Sequence, residues 1–194
     1  NYKGYEKLIQ TPMKLSNLWL TCMTLFKDNT FMLYNFIAAI NYALFMAFLA
    51  ITSFVFQTRL GLSPAEFGTA TLLLTFVYMG GCFVNGRLIG KIKMDNLLLI
   101  GLAIVTISGI IFTILGIANY LTMTTYLIAV CALYFGSGFI FANAGAQAFM
   151  HVTNNIGTAS ALFSSIQIAL GGILTAMISR FNPTNTLAIG LMIG

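Results

Sequence analysis

The sequence of 194 residues contains one long stretch without charge, residues 96–179, in which no Lys, Arg, Asp or Glu occurs. Two shorter stretches of the same kind, residues 29–58 and 67–86, precede it. A helix that crosses the hydrocarbon core of a bilayer needs about 20 apolar residues. The long stretch exceeds the length of one such helix, so we expect the polar clusters at 119–122 and 151–155 to divide it. This pattern predicts several membrane-spanning segments separated by polar loops.

The composition supports a membrane protein, and the continuity of the apolar runs favours helices. Hydrophobic residues make up 59% of the chain and charged residues 7%, whereas soluble domains carry about 25% charge. A β-barrel strand would alternate polar and apolar residues over about ten positions, and these runs do not alternate. The predicted fold class is therefore an all-α membrane protein with five complete spans and the start of a sixth. We place the spans at about 31–56, 67–87, 97–118, 124–148 and 157–179, and the truncated sixth at 187–194.

Basic residues near the predicted spans are distributed unevenly between the two sides. Arg59 and Arg180 fall on one side, and five basic residues fall on the other: Lys14, Lys27, Arg87, Lys91 and Lys93. Because cytoplasmic loops carry an excess of Lys and Arg, the N-terminus and the loop at 87–96 are predicted to be cytoplasmic. The basic residues lie between spans and form no continuous basic face, so no nucleic-acid partner is expected.

Residues 1–27 are predicted to form a cytoplasmic linker ahead of a transmembrane domain at 28–194. At about 14–27 apolar residues recur with helical spacing on one face, namely Leu15, Leu18, Trp19, Cys22 and Phe26. This segment is too short to span a bilayer, so we interpret it as an amphipathic helix at the cytoplasmic membrane surface. The alternative interpretation is that the segment extends the first span.

The sequence offers little support for catalysis, metal binding or a cofactor. Cys22, Cys82 and Cys131 are isolated in apolar stretches, and His151 is the single histidine. This pattern gives neither a zinc site nor a disulfide framework. No phosphate-binding loop of the GxxxxGK[ST] type occurs, so ATP-driven transport within this chain is unsupported. We therefore expect no metal site and no cofactor, and we do not expect an enzyme.

Polar and aromatic side chains within the spans are the candidates for a substrate path, because lipid-facing polar groups are unfavourable. The candidates that line this path are Asn41, Tyr42, Phe45, Thr75, Tyr78, Tyr134, Ser160, Ser164 and Gln167. For the Ser and Thr positions the favoured alternative is a hydrogen bond to the backbone or to a neighbouring helix. The third span is nearly free of polar residues and is predicted to be peripheral. Two sets of small residues are predicted to let helices approach closely: Gly86 with Gly90, and Gly138 with Ala142 and Ala146.

Several motifs together resemble a known transporter family. They are the end of the first span at 52–57 (TSFVFQ), the turn at 61–68 (GLSPAEFG), the helix start at 157–162 (GTASAL) and the basic loop at 86–91. Their order and spacing resemble the C-terminal half of the major facilitator superfamily, specifically its Bcr/CflA-type drug-resistance transporters. The resemblance implies a six-helix half with a 3+3 inverted repeat in a bacterial inner membrane. It also identifies a cytoplasmic loop signature, formed by Gly86, Arg87, Gly90 and Lys91.

The resemblance implies a secondary transporter of small organic molecules, most specifically a proton-coupled multidrug efflux antiporter. Its expected partners are the lipid bilayer, the N-terminal half of the same transporter, a small-molecule substrate and protons. Because the chain begins at Asn1 and matches only one half, we expect it to be part of a longer protein whose other half carries the coupling carboxylate. Two alternatives stay open: transport of a nutrient or metabolite, and a non-transporting membrane scaffold or receptor module.

Overall fold

A computed structural model describes residues 15–54, 63–118, 123–152 and 155–180. These residues form six helices: α1 Leu15–Lys27, α2 Asn29–Phe54, α3 Pro64–Leu88, α4 Met94–Ile117, α5 Met123–Phe149 and α6 Ile156–Arg180. The described ranges contain no strand; an isolated bridge joins Ile89 and Ile92. Five helices, α2 to α6, are long and apolar enough to cross a membrane. The predicted class of all-α membrane protein with five complete spans is confirmed.

The polar clusters divide the chain where the sequence predicts. Helix α4 ends at Ile117 and α5 begins at Met123, while α5 ends at Phe149 and α6 begins at Ile156. The loop at 55–62, which contains Arg59, and the truncated span at 187–194 both lie outside the described residues.

Charged residues cap two of the spans. The Asp28 carboxylate accepts hydrogen bonds from the backbone N–H groups of Thr30 at 2.9 Å and Phe31 at 3.1 Å, at the start of α2. At the start of α3, Ser63 and Glu66 form a reciprocal capping box. The Asp28 carboxylate thus satisfies helix N–H groups that would otherwise lack partners, while the Glu66 carboxylate accepts from the Ser63 N–H group at 2.8 Å and the Ser63 hydroxyl accepts from the Glu66 N–H group at 3.3 Å. This local chemistry accounts for the charges at the ends of the spans.

Helix α5 lies at the centre of the bundle. It packs against α2, α3 and α4, while α6 packs against α2, and the short α1 contacts α2 and α6. Helix α4 packs mainly against α5, as expected for the peripheral third span. In a repeat of three helices, α5 corresponds to α2 and α6 corresponds to α3. The contact between α3 and α5 then corresponds to the contact between α6 and α2, and both contacts are present. The bundle fits one half of a major facilitator fold.

Glycines allow a close helix contact between α3 and α5, but not at all of the predicted positions. A Cβ at Gly81 would overlap the Phe135 carbonyl oxygen, and one at Gly138 would lie 2.8 Å from the backbone nitrogen of Cys82. The prediction for Gly138 is therefore correct. It is wrong for Gly86, where no described atom lies within 4 Å of a Cβ.

Three other small residues also lie away from the helix contacts. Gly90 has a φ of +87° in the turn after α3, with open space around it. It is needed for this turn rather than for packing, because L side chains rarely adopt such a backbone conformation. Ala142 and Ala146 are exposed on α5. A four-residue spacing alone does not identify which side of a helix its neighbours occupy.

Apolar side chains cover much of the outer surface of the bundle. On α3, five of them are between 56% and 66% exposed: Leu72, Leu73, Phe76, Met79 and Phe83. Soluble proteins rarely expose such contiguous apolar patches. Together with five helices that are long and apolar enough to cross a bilayer, this apolar surface makes the bundle a multi-pass membrane protein.

Hydrogen bonds tie several helices together at the end of the bundle where α2, α4 and α6 begin, here called the α1 end. The Asp95 carboxylate of α4 accepts from the Tyr34 hydroxyl at 2.9 Å and from Gln147 Nε2 at 2.7 Å. Asn155 Nδ2 donates to the Thr21 hydroxyl of α1 at 3.1 Å. Helix α1 therefore folds against the bundle rather than standing clear of it.

The apolar side chains of α1 divide between two surroundings. Leu25 is buried in an apolar cluster with residues of α2, α4, α5 and α6. Four others are exposed, namely Trp19, Leu20, Met23 and Phe26. Trp19 and Phe26 belong to the apolar face predicted for α1, and both point away from the bundle. The predicted apolar face therefore differs from the surface of α1 that packs against α2 and α6. An exposed apolar side on a surface helix is the feature expected of interfacial helices, and this interpretation of α1 stays a prediction.

Candidate functional site

Three helices line a half-open cavity of about 240 Å³ near their midpoints. Helix α2 supplies three lining residues, α3 supplies one and α5 supplies two: Asn41, Tyr42, Phe45, Tyr78, Ser137 and Phe141. The first four are sequence candidates, and the fold brings them to one place although they come from separate helices. No charged side chain occurs among these lining residues.

Aromatic rings form one wall of the cavity. The Phe45 ring centroid lies 4.6 Å from the Tyr134 ring centroid. It lies 6.4 Å from the Tyr78 ring centroid, and these two rings meet edge to face. Such pairs contribute about 0.5–1.5 kcal/mol beyond the area they bury. The Tyr134 side chain lies behind this wall, 1% exposed, and its hydroxyl has no hydrogen-bond partner among the described residues.

A buried hydrogen bond fixes the polar side of the cavity. The Ser137 hydroxyl of α5 donates to Asn41 Oδ1 of α2 at 3.0 Å. Asn41 is 6% exposed and Ser137 is 1% exposed, so water does not compete strongly for this bond. The pair joins the two helices near the middle of the bundle.

Helix α6 supports the cavity from behind Tyr42. A Cβ at Gly171 would lie 3.1 Å from the Tyr42 ring, so the glycine leaves room for that ring. Gln167, one turn earlier on α6, is 4% exposed and its Nε2 has no hydrogen-bond partner in the described ranges. Gln167 is thus buried in the bundle, but it does not line the cavity.

Three further candidates are exposed and do not meet the cavity: Thr75, Ser160 and Ser164. The Thr75 hydroxyl donates to the Thr71 carbonyl oxygen of its own helix at 3.0 Å. Thr71 makes the equivalent bond to Phe67 at 2.9 Å. For these two threonines, the predicted alternative of bonding to their own backbone is correct.

The residues of the loop signature lie in and just after the last turn of α3. Gly86 and Arg87 are helical, and the Arg87 guanidinium lies 4.2 Å from the centroid of the Phe83 ring. Gly90 and Lys91 are exposed in the turn that leads to α4. These residues are far along α3 from Tyr78 and take no part in the cavity.

Sequence reasoning did not select two of the lining residues. Ser137 follows Tyr134 by three positions on the same helix, so helical spacing could have found it. Phe141 has no such signal, because it is one of 17 phenylalanines in the chain. Its position depends on how α5 packs against α2 and α3.

A larger cavity, of about 390 Å³, lies between α4 and α5 but has the character of a lipid contact. Several of its lining residues are also strongly exposed, including Ile107, Ile111 and Ile128. The hydroxyl of Ser108, which also lines it, already donates to the Ala129 carbonyl oxygen at 2.6 Å. Among the described residues no group of three or more His, Cys, Asp or Glu side chains could hold a metal ion.

The helices and the cavity together define a class of protein: a polytopic membrane bundle with an uncharged, partly polar cavity at mid-helix. The chain is similar to the bicyclomycin resistance protein homolog of Haemophilus influenzae, at 25% identity over 90% of the chain and 44% of that relative. It is also similar to the uncharacterized MFS-type transporter YdgK of Bacillus subtilis, at 25% identity over 92% of the chain and 44% of that protein.

The chain thus spans less than half the length of these curated relatives. No protein-family model matches the chain, and no solved structure matches it at a significant level. Both relatives are named as resistance or transport proteins, in agreement with the family that the sequence motifs resemble.

Proposed function

We propose that this chain is the C-terminal half of a secondary active transporter of the major facilitator superfamily, which exports small organic molecules. The observation that carries the proposal is the cavity around Asn41 at mid-helix. Polar side chains at this depth are unfavourable unless they bind another group or face an aqueous path. The similarity to a bicyclomycin resistance protein homolog supports drug export as the direction of transport.

The substrate path is proposed to run along the cavity and between this half and an N-terminal half. Transporters of this kind bind substrates near the bilayer midplane where repeats meet. The coverage of 44% of each relative supports the existence of such a partner half. Ser160 and Ser164, exposed on α6, are then available to face that partner. The excess of basic residues supports a cytoplasmic α1 end.

Coupling to protons is proposed to depend on a carboxylate in the partner half. The described acidic residues, Asp28, Glu66 and Asp95, all lie at helix starts. Each carboxylate already accepts hydrogen bonds from helix N–H groups or from neighbouring side chains. His151 is exposed in the turn after α5. None of these groups lies near the cavity, where protonation could be linked to substrate binding.

Export of Nile red, a neutral aromatic dye, tests this proposal. Everted membrane vesicles containing the full-length protein should take up the dye when an acid-inside pH gradient is imposed. Phe45→Ala should lower the initial rate about tenfold, because it removes the ring that contacts Tyr134 and Tyr78. Phe36→Ala is the matched control, since Phe36 lies on the same helix but is 49% exposed on the outer surface. Its rate should stay within about twofold of wild type.

Two results would contradict the proposal. One is equal loss of uptake in both phenylalanine variants. The other is gradient-driven uptake in vesicles that contain only this 194-residue chain, because the partner half would then be unnecessary.

A further inference from the structure

We infer that Asn41 is a specificity-determining residue: its amide N–H group binds a hydrogen-bond acceptor of the ligand, and Ser137 holds the amide in the orientation that this requires. The inference rests on the proposed function, because it defines the chemistry of the molecule that the cavity takes. It predicts a neutral ligand with an apolar or aromatic body and an acceptor such as a carbonyl oxygen.

The orientation of the amide follows from its single bond to α5. An asparagine side chain carries one carbonyl oxygen, which accepts, and one NH₂ group, which donates. The Ser137 hydroxyl donates to the Asn41 oxygen, so that oxygen is directed to α5. The NH₂ group lies on the other branch of the amide, and the structure gives it no acceptor among the described residues. Asn41 also lines the cavity, so its free donor is available there.

The remaining lining residues define the rest of the ligand. Phe45 and Phe141 are apolar, while Tyr42 and Tyr78 combine aromatic faces with hydroxyl groups that can donate or accept. No lining residue is charged, so a charged group placed in the cavity would lack a partner, which is strongly unfavourable. Among the polar lining side chains, Asn41 is held through its oxygen by Ser137 of the neighbouring helix, which leaves its NH₂ group as a donor for the cavity.

Ser137 acts through Asn41 and is therefore a positioning residue. Without the hydroxyl, rotation of the amide would let Asn41 present its oxygen to the cavity as readily as its nitrogen. Ser137→Ala should then weaken discrimination between ligands without removing the cavity. Ser137→Thr keeps the hydroxyl group and should preserve discrimination.

Two naphthalenes of similar shape test the inference by direct binding. One, 2-acetylnaphthalene, carries a carbonyl acceptor, and the other, 2-ethylnaphthalene, carries none. Equilibrium dialysis measures the Kd of each for the full-length protein in lipid nanodiscs, after subtraction of binding to empty nanodiscs. The quantity compared is the ratio of the two Kd values, because uptake into lipid affects the ratio equally in every variant.

Asn41→Leu should weaken the binding of 2-acetylnaphthalene relative to that of 2-ethylnaphthalene by about fivefold, the effect of one hydrogen bond. Ser137→Ala should weaken this relative preference for the ketone in part, and Ser137→Thr should leave it at the wild-type value. An unchanged ratio in Asn41→Leu, with both compounds still bound, would overturn the inference but leave the proposed transport intact. Discrimination that depends on Asn41 in a protein that exports no Nile red would support the inference and contradict the proposed function. Failure of both compounds to bind would contradict the inference.

Discussion

At the scale of single residues, two buried hydroxyl groups differ in their surroundings. Ser108 donates to the Ala129 carbonyl oxygen at 2.6 Å, which joins α4 to α5. The Tyr134 hydroxyl has no partner among the described residues, although its side chain is only 1% exposed. A hydroxyl buried without a partner destabilises the state that contains it. The Tyr134 hydroxyl is therefore a candidate for a bond formed only when substrate is bound or when the two halves move.

Replacing Tyr134 with Phe removes only this hydroxyl. We expect the variant to be more stable than wild type by about 1 kcal/mol, because a buried polar group without a partner is lost. Thermal unfolding of the purified protein in detergent, followed by circular dichroism, measures the change.

Ser108→Ala is the control for this prediction. It removes a bonded hydroxyl and leaves the Ala129 carbonyl oxygen with one partner fewer, so we expect a loss of about 1 kcal/mol. If Tyr134→Phe lowers the unfolding temperature as much as Ser108→Ala does, the Tyr134 hydroxyl is bonded in the folded protein and our interpretation is wrong.

Part of the cavity could be predicted from the sequence for physical reasons. Asn41, Tyr42 and Phe45 lie within a span where charge is absent, and their helical spacing places them close together. Thr75 shares that spacing with Tyr78 but bonds to its own helix, which periodicity cannot distinguish. Ser160 and Ser164 do not line the cavity in this half. Whether they face a substrate path stays a prediction.

At the scale of helices, the positions of the spans could be predicted but their contact faces could not. The distances between charges locate the helices because charges are excluded from the hydrocarbon core. The contact between α3 and α5 depends instead on Gly81 and Gly138, which face one another across the pair. Gly80 and Gly86 lie on the same helix as Gly81, but a Cβ added at either would meet no atom of a neighbouring helix within 4 Å. The identity of a glycine does not reveal its neighbours.

Two adjacent glycines of α3 provide a matched test of this contact. Gly81→Ala should destabilise the protein by about 1–3 kcal/mol, because the new methyl group overlaps the Phe135 carbonyl oxygen and must push α3 from α5. Gly80→Ala should be neutral or stabilising by up to about 1 kcal/mol, since its site is open and alanine favours helix. Denaturation in detergent compares the two variants.

The separation of α3 and α5 can be followed by a second measurement. The Asn143 Nδ2 group donates to Asn85 Oδ1 at 2.7 Å, one turn from Gly81. A double-mutant cycle with Asn85→Ala and Asn143→Ala measures the coupling energy of this pair through unfolding in detergent. That coupling should be smaller in the presence of Gly81→Ala, because the two helices are then further apart. Equal stability of Gly81→Ala and Gly80→Ala would show that this helix contact is not as close as described.

At the scale of the whole molecule, lipid and water must contact opposite sides of the same helix. Helix α2 exposes Leu33, Phe36 and Ile40 on its outer surface, while Tyr42 and Phe45 turn toward the cavity. Exposure of a side chain on the isolated bundle therefore does not tell whether it meets water or lipid. The central claim is that the cavity side of α2 belongs to an aqueous substrate path and the outer side to the bilayer.

The most direct test is the reactivity of single cysteines on the two sides of α2 in native membranes. Tyr42→Cys and Ile40→Cys lie two residues apart, in a background without Cys22, Cys82 and Cys131. Charged maleimides react with thiolate, which forms where water reaches the sulfur. We predict labelling at least about tenfold faster at Tyr42→Cys, although Ile40 is 47% exposed in the isolated bundle. Equal labelling, or faster labelling at Ile40→Cys, would contradict an aqueous path along this face of α2.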